Sequence, residues 1–316
     1  MNIKSCLFAM LLLLTSFVAK AQVLITTSTP DSISYWERTN TVGLDINQVA
    51  FVNWSVGGNN SISGLAKANF LRRYTRGNLS WVNELILKYG LNSQEGQELR
   101  KTDDQILLNS TFGYRRDTVS NWYYSAKFNF ATQFANGYSY PNTTDPISAP
   151  FSPAYIFLGV GTEYIRKDLG LTAYFSPLTD KTTLVLNQRL ANAGAFGVEG
   201  AVYDADGNIM RLGKQSRTEV GILITNQFKR QVFKNIMLDH RLSLYTDYLN
   251  NFGNIDVNWQ LQLDMTVNEY VKANIGTHII YDDDIKATEE QDGMIVQVGP
   301  KIQLKQILGV GMSYTF

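Results

Sequence analysis

The stretch Ile255–Asn268 reads IDVNWQLQLDMTVN. Ile255, Val257, Trp259, Leu261, Leu263, Met265 and Val267 take every second position. Asp256, Asn258, Gln260, Gln262, Asp264, Thr266 and Asn268 fill the gaps. Successive side chains point to opposite faces only along a strand. Strict alternation over this length therefore predicts a strand with one apolar and one polar face.

The same pattern recurs along most of the chain after about Asn40. It predicts twelve strands, at about Thr41–Asn53, Ser61–Arg73, Leu79–Leu91, Asp103–Arg115, Asn121–Gln133, Ala154–Ile165, Leu169–Ser176, Ser216–Lys229, Lys234–Leu249, Ile255–Val267, Glu269–Tyr281 and Ile302–Phe316. Most exceed the roughly 5–6 residues common in soluble sheets and suit a tilted membrane strand of about 9–11. The connections alternate between longer and shorter, as short periplasmic turns alternate with long extracellular loops in outer-membrane barrels. The brief connection NNFGN at Asn250 is an exception. KTTLVLNQRL (Lys181–Leu190) and GAFGVEG (Gly194–Gly200) are read as part of a structured external loop or an inward-folded plug at about 177–215, with fourteen strands as the alternative count.

Alternation does not say which face is inside. The polar faces carry glycines and charges of both signs, as a crowded lumen would. Aromatic residues recur near strand ends, at Trp54, Tyr74, Trp81, Tyr89, Tyr114, Trp122, Tyr164, Tyr248 and Tyr281, in the manner of an interfacial girdle. The last residues, QILGVGMSYTF, alternate up to Phe316. A strand there needs a neighbour, and closure onto the first strand leaves no edge. Phe316 and Tyr314 are accordingly read as a signal for the barrel-assembly machinery.

At the other end, Lys4, the apolar run Cys6–Val18 and Ala19-Lys20-Ala21 read as a secretory signal peptide over 1–21. Residues 22–38 then form a periplasmic segment and 39–316 the barrel. The 28 basic and 28 acidic residues balance, which argues against a nucleic-acid partner. The single cysteine lies in the signal segment, so disulfides and Cys-based metal sites are excluded from the mature chain.

Several stretches resemble one uncharacterised family. They are FVNWSVGGNNS at Phe51, LRKTDDQ at Leu99, TQFANGYSY at Thr132, PAYIFLGVGTEY at Pro153, YFSPLTDKTTLV at Tyr174, GAFGVEG at Gly194, NIDVNWQ at Asn254 and IIYDDDIK at Ile279, with the terminal segment. Together, over about Trp36 to Phe316, they resemble the domain-of-unknown-function 3078 family of Bacteroidota envelope proteins. The resemblance implies an outer-membrane β-barrel and no activity, and no catalytic residue is carried over from it.

The charged candidates for a lumen-facing set are Lys67, Glu84, Lys88, Arg115, Lys127, Glu163, Glu219, Lys229, Asp239, Arg241, Asp256, Asp264 and Lys272. They would either set the selectivity of a pore or pair across the interior and close it. Unpaired burial would be very costly, so pairing and a narrow or plugged lumen are expected. His240 and His278 have no catalytic spacing around them, and His240 and Ser243 fall on opposite faces. A general base must align with its nucleophile, so catalytic, cofactor and metal sites are all read as absent. The carboxylates of YDDDIKATEEQD (Tyr281–Asp292) are read as a solvated loop, their spacing being unlike an EF-hand.

The chain is thus expected to be an all-β, monomeric transmembrane barrel of the outer membrane. Its expected partners are membrane lipid, the assembly machinery and other envelope proteins. The leading function is a channel or transporter for a small polar or amphiphilic solute. A non-conducting scaffold of an envelope or secretion complex comes second, and a membrane-embedded hydrolase a distant third.

Overall fold

A computed structural model describes residues 34–49, 59–250, 252–268, 271–291 and 294–316. Twelve antiparallel strands close into a barrel. In chain order they are β1 (Trp36–Val49), β2 (Ser61–Arg76), β3 (Leu79–Gln94), β4 (Arg100–Tyr114), β5 (Trp122–Thr132), β6 (Ala154–Arg166), β7 (Leu171–Leu184), β10 (Ser216–Phe233), β11 (Ile236–Asp247), β12 (Asp256–Thr266), β13 (Val271–Tyr281) and β16 (Gln303–Thr315). Each pairs with the next, and β16 returns to β1 through Thr41↔Thr315 and Leu44↔Met312. Phe316 exchanges both backbone hydrogen bonds with Asn40, at 2.9 Å each. β8 (Val202–Tyr203) with β9 (Ile209–Arg211), and β14 (Lys286–Gln291) with β15 (Met294–Pro300), form small separate hairpins in the long connections.

The faces follow from exposure. On β16, Leu308 is 71% exposed and Val310 55%, while Gly309 between them is buried. Val42, Leu44 and Ile46 on β1, Leu158 and Val160 on β6 and Ile275 on β13 are likewise exposed. The buried residues include Asp45, Glu163, Lys181, Glu219, Asp239 and Asn274. A soluble barrel has the opposite arrangement. An apolar exterior around a polar interior is the arrangement of a transmembrane barrel, and strands of 11 to 18 residues are long enough to cross.

Three strand readings change. The expected strand Leu169–Ser176 runs on to Leu184 as β7, so the long connection to β10 begins at residue 185 rather than Pro177. Pro177 lies in a bulge: Ser176 pairs with Leu223 and Thr179 with Gly221, one residue out of step. Proline, which cannot donate to the ladder, is tolerated at a bulge because no ladder bond is required of that position. The Ser176 hydroxyl lies 2.9 Å from the carbonyls of both Val160 and Leu178, which share its one proton. On β6, a side chain at Gly161 would run into the carbonyl of Phe175, so glycine lets the bulge approach.

The bulge also removes the fourteen-strand alternative. Lys181–Leu184 complete β7, while Gln188–Asn192 form a short helix α1, N-capped by Asn187 at 3.2 Å from the Leu190 amide. Gly194–Gly200 form a 3₁₀ turn and extended chain rather than a wall strand. Finally, β1 begins at Trp36, not at Thr41 or residue 39, because Trp36 pairs with Tyr74 and packs its ring 5.9 Å from that of Trp81. Residues 1–33, 50–58, 251, 269–270 and 292–293 lie outside the described residues. With them go the expected signal peptide, most of the expected periplasmic segment, Trp54 and the end of the first expected strand.

Candidate functional site

Antiparallel partners share a face, so register carries the inward face around the ring. Gly43 pairs with Lys67, Lys67 with Lys88 and Lys88 with Gln105. Beyond the bulge, Thr183 pairs with Arg217 and Lys181 with Glu219.

The widest span joins Arg241 on β11 to Glu84 on β3, Nη1 to Oε2 3.9 Å. These strands lie diametrically opposite in the ring, so the two groups meet only across the interior. Arg241 also forks onto Asp239 at 3.1 and 3.0 Å, and Lys229 lies 3.4 Å from Asp239. Glu84 accepts from Asn69 at 2.8 Å and from Asn109 at 3.4 Å, and Asn109 accepts from Asn129 at 2.5 Å. Guanidinium, carboxylates and amides thus form a belt through β11, β3, β2, β4 and β5.

A second centre is Lys181. Its ammonium lies 2.6 Å from Asp256, 3.3 Å from Asp282 and 3.6 Å from Glu219, and 5.2 Å from the centre of the Tyr245 ring. The side chain is only 5% exposed. Beside it, Arg217 bridges Asp284 at 2.6 Å and Glu219 at 3.2 Å, and donates to the carbonyl of Gly197 at 3.2 Å. That last bond ties the 185–215 segment to the wall. The segment has a small core of Val185, Leu190, Ala191 and Val198, packed with Ala149 from the β5–β6 connection.

Of the thirteen sequence candidates, the structure pairs Lys127 with Glu163 at 2.7 Å, with the Lys127 ammonium 4.3 Å from the centre of the Tyr174 ring. It pairs Arg241 with Glu84 and Asp239, and Lys229 with Asp239. Glu219 and Asp256 serve Lys181. Lys67 joins Asp45 at 2.7 Å. Arg115 lies 5.5 Å from the centre of the Tyr123 ring near a short turn, and Asp264 accepts from Gln262 at 2.7 Å. Lys272 stands opposite Thr266 and Gly311, away from both centres. Lys88 lies beside Lys67 in register, with no ion-pair partner among the described residues.

Sequence reading missed Lys181, Arg217, Asp282, Asp45 and the pair Lys305–Asp103, at 2.8 Å. Alternation does signal Asp45, between Leu44 and Ile46, and Lys305, before Gln306. Lys181 is hidden by the bulge. Asp282 and Asp284 lie in the segment read as solvated, yet each holds a cation of the wall. Asp283 accepts from Asn254 at 2.6 Å. The Glu289 and Glu290 side chains and Asp292 lie outside the described residues. His278 Nε2 donates to the Asn258 side-chain oxygen at 2.9 Å, and His240 packs edge-on to Trp259 at 6.3 Å.

Residues 46–138 match the family model described as Protein of unknown function (DUF3078). The motifs at Phe51 and Leu99 fall within it, and the motif at Thr132 begins within it. Among curated proteins none matches the sequence. Solved structures that resemble it include the translocator domain of the autotransporter NalP from Neisseria meningitidis, at 11% identity and TM-score 0.38, covering 99% of this chain and 98% of that one. The COG4313 outer membrane channel from Pseudomonas putida F1 aligns at 11% identity and TM-score 0.41, over 92% of this chain and 100% of that one. The NanC porin aligns at 7% identity and TM-score 0.38, over 88% and 98%. The barrel stands on its strand pairing.

Proposed function

We propose that this chain is an outer-membrane channel or transporter for a small polar or amphiphilic solute, with the charged inward face as the wall of a narrow lumen. The short turns would face the periplasm, and export would follow cleavage of the N-terminal signal. Insertion would depend on the barrel-assembly machinery. The observation that carries the reading is the polar interior itself. Glu84, Asn109, Asn129, Arg241, Lys181 and Asp256 are more than a structural wall needs, and they suit a wet path. The ion pairs across that path make it narrow, and opposed charges at a constriction act on the dipole and charge of whatever passes. The reading assigns no catalysis.

One observation favours the second reading, a non-conducting barrel in a larger envelope assembly. The Arg241–Glu84 contact joins opposite walls, and a barrel braced through its centre transmits shape better than solute. Single-channel recording of the refolded protein in a planar bilayer separates the two. Full-length protein, a version shortened within 185–215 and an Arg241→Gln variant would be compared. A channel gives stepwise currents whose ion selectivity shifts on removing Arg241. Current only from the shortened form makes the segment a gate. Silence from all three, with insertion verified, rejects the channel and leaves the scaffold.

A further inference from the structure

On the outer wall, Arg38 of β1 and Arg72 of β2 stand directly opposite each other in register. Their even-numbered neighbours Trp36, Val42 and Leu44, and Ile62 on β2, are the exposed, outward residues of these strands. Like charges directly opposed across two strands repel, and an arginine on a lipid-facing wall is costly away from the interface. The adjacent residues show that the sequence could have avoided this: Glu37 and Arg73, the next pair in register, lie on the inward face and join at 3.3 Å. No carboxylate pairs with Arg38 or Arg72 among the described residues, and Arg72 spends one N–H on the carbonyl of Leu71, at 2.8 Å.

The row continues in register to Asn83 on β3 and Ser110 on β4. Ser110 donates to the Asn83 side-chain oxygen at 2.8 Å and accepts from the Trp81 indole at 2.9 Å. This leaves the Asn83 amide nitrogen as a further donor beside Arg72. One step toward the short turn, Trp36, Tyr74 and Trp81 cluster, with ring centres 5.2 Å and 5.9 Å apart. Such aromatic rings settle at the headgroup level.

We propose that Arg38, Arg72 and Asn83 form a binding site for the headgroup of one anionic phospholipid in the leaflet at the short-turn end. Two guanidinium forks match phosphate oxygens bidentately, and a bound phosphate turns the repulsion between the arginines into a shared contact. Among the described residues the patch has no carboxylate for the ammonium of a zwitterionic headgroup, so charge complementarity selects a net-anionic lipid. The aromatic cluster would flank its glycerol and upper acyl chains. The site rests on the barrel being embedded in lipid and is independent of whether it conducts.

The test uses the full chain refolded in vesicles that contain brominated phosphatidylglycerol or brominated phosphatidylcholine, read by quenching of tryptophan fluorescence. Trp36 and Trp81 adjoin the site. Phosphatidylglycerol should compete with phosphatidylcholine for a saturable part of the quenching with roughly tenfold preference or more. Arg38→Gln with Arg72→Gln should bring the ratio near one, and Arg76→Gln should leave it unchanged. Equal quenching by the two lipids in the wild type overturns the proposal, and so does a preference that survives in the double variant. Should that variant fail to insert, the wild-type competition decides alone.

Discussion

β12 and β7 are both wall strands, and they differ in one irregularity. β12 (Asp256–Thr266) pairs with β11 and β13 without a shift, and its polar and apolar positions alternate from end to end. β7 (Leu171–Leu184) starts in the same way, with Tyr174 inward and Phe175 exposed. Past Pro177 its parity reverses: Leu178 is 55% exposed, while Thr179 and Lys181 are buried. A single extra residue in one strand turns every later side chain to the other face. The difference matters because the reversed half of β7 supplies Lys181, the cation on which Asp256, Asp282 and Glu219 converge. The regular strand contributes one carboxylate to this centre, and the bulged strand contributes its hub.

The largest expected effect tests that hub. Lys181→Met removes the positive charge from among three carboxylates at a nearly buried position. Breaking a buried pair on one side destabilises by about 3–5 kcal/mol, measurable as a lower urea midpoint of the refolded barrel. A change within error would mean that the three carboxylates do not depend on the Lys181 charge. Next comes the outer wall. Leu261→Arg on β12 should impair insertion by about 2–4 kcal/mol if the residue faces mid-bilayer lipid, and Gln262→Arg by far less. Leu178→Arg carries the comparison to β7. Counting from Tyr174 without a bulge places Leu178 inward and makes the substitution mild; the structure places it outward, and insertion should suffer as for Leu261. The bulge itself is tested by Ser176→Ala, which leaves the carbonyls of Val160 and Leu178 without their donor. The cost should be about 1–3 kcal/mol, read in the same denaturant series.

These strands also show what the sequence discloses. Where pairing is regular, alternation is a direct image of the two faces, and the twelve-strand count follows from it. β12 is complete in its own residues. The bulge in β7 depends on Gly161 in the neighbouring strand β6, and no local pattern announces a partnership across strands. For the same reason the pairing of candidates was hidden. Periodicity puts Arg241 and Glu84 on polar faces, but only closure of the ring brings β11 opposite β3. The acidic segment after Tyr281 was hidden differently. Its charges are adjacent in sequence, as in a solvated loop, and only folding shows Asp282 and Asp284 turned onto Lys181 and Arg217.

The smallest expected effect contrasts the wall with the 185–215 segment it carries. Glu199 holds Lys214 at 2.6 Å and also pairs with Arg211, and its carboxyl is held below the usual range, first by the Lys214 hydrogen bond and then by the Arg211 charge. Asp204 is lowered by the backbone and side-chain donors of Asn208, at 2.7 and 3.2 Å. A carboxyl lowered by folding adds stability that is present above its unfolded pKa, near ~4. That stability is lost as pH falls through the lower, folded value. Both groups are exposed and screened, so the effect belongs to local opening of the β8–β9 hairpin rather than to the barrel. Hydrogen exchange of peptides within 199–214, corrected for intrinsic rates, should quicken between neutral pH and pH ~3, while protection of β12 stays constant. Parallel loss in both would mean that segment and wall open as one unit. An unchanged hairpin would mean that its backbone turn around Asp204, and not its ion pairs, holds it in place.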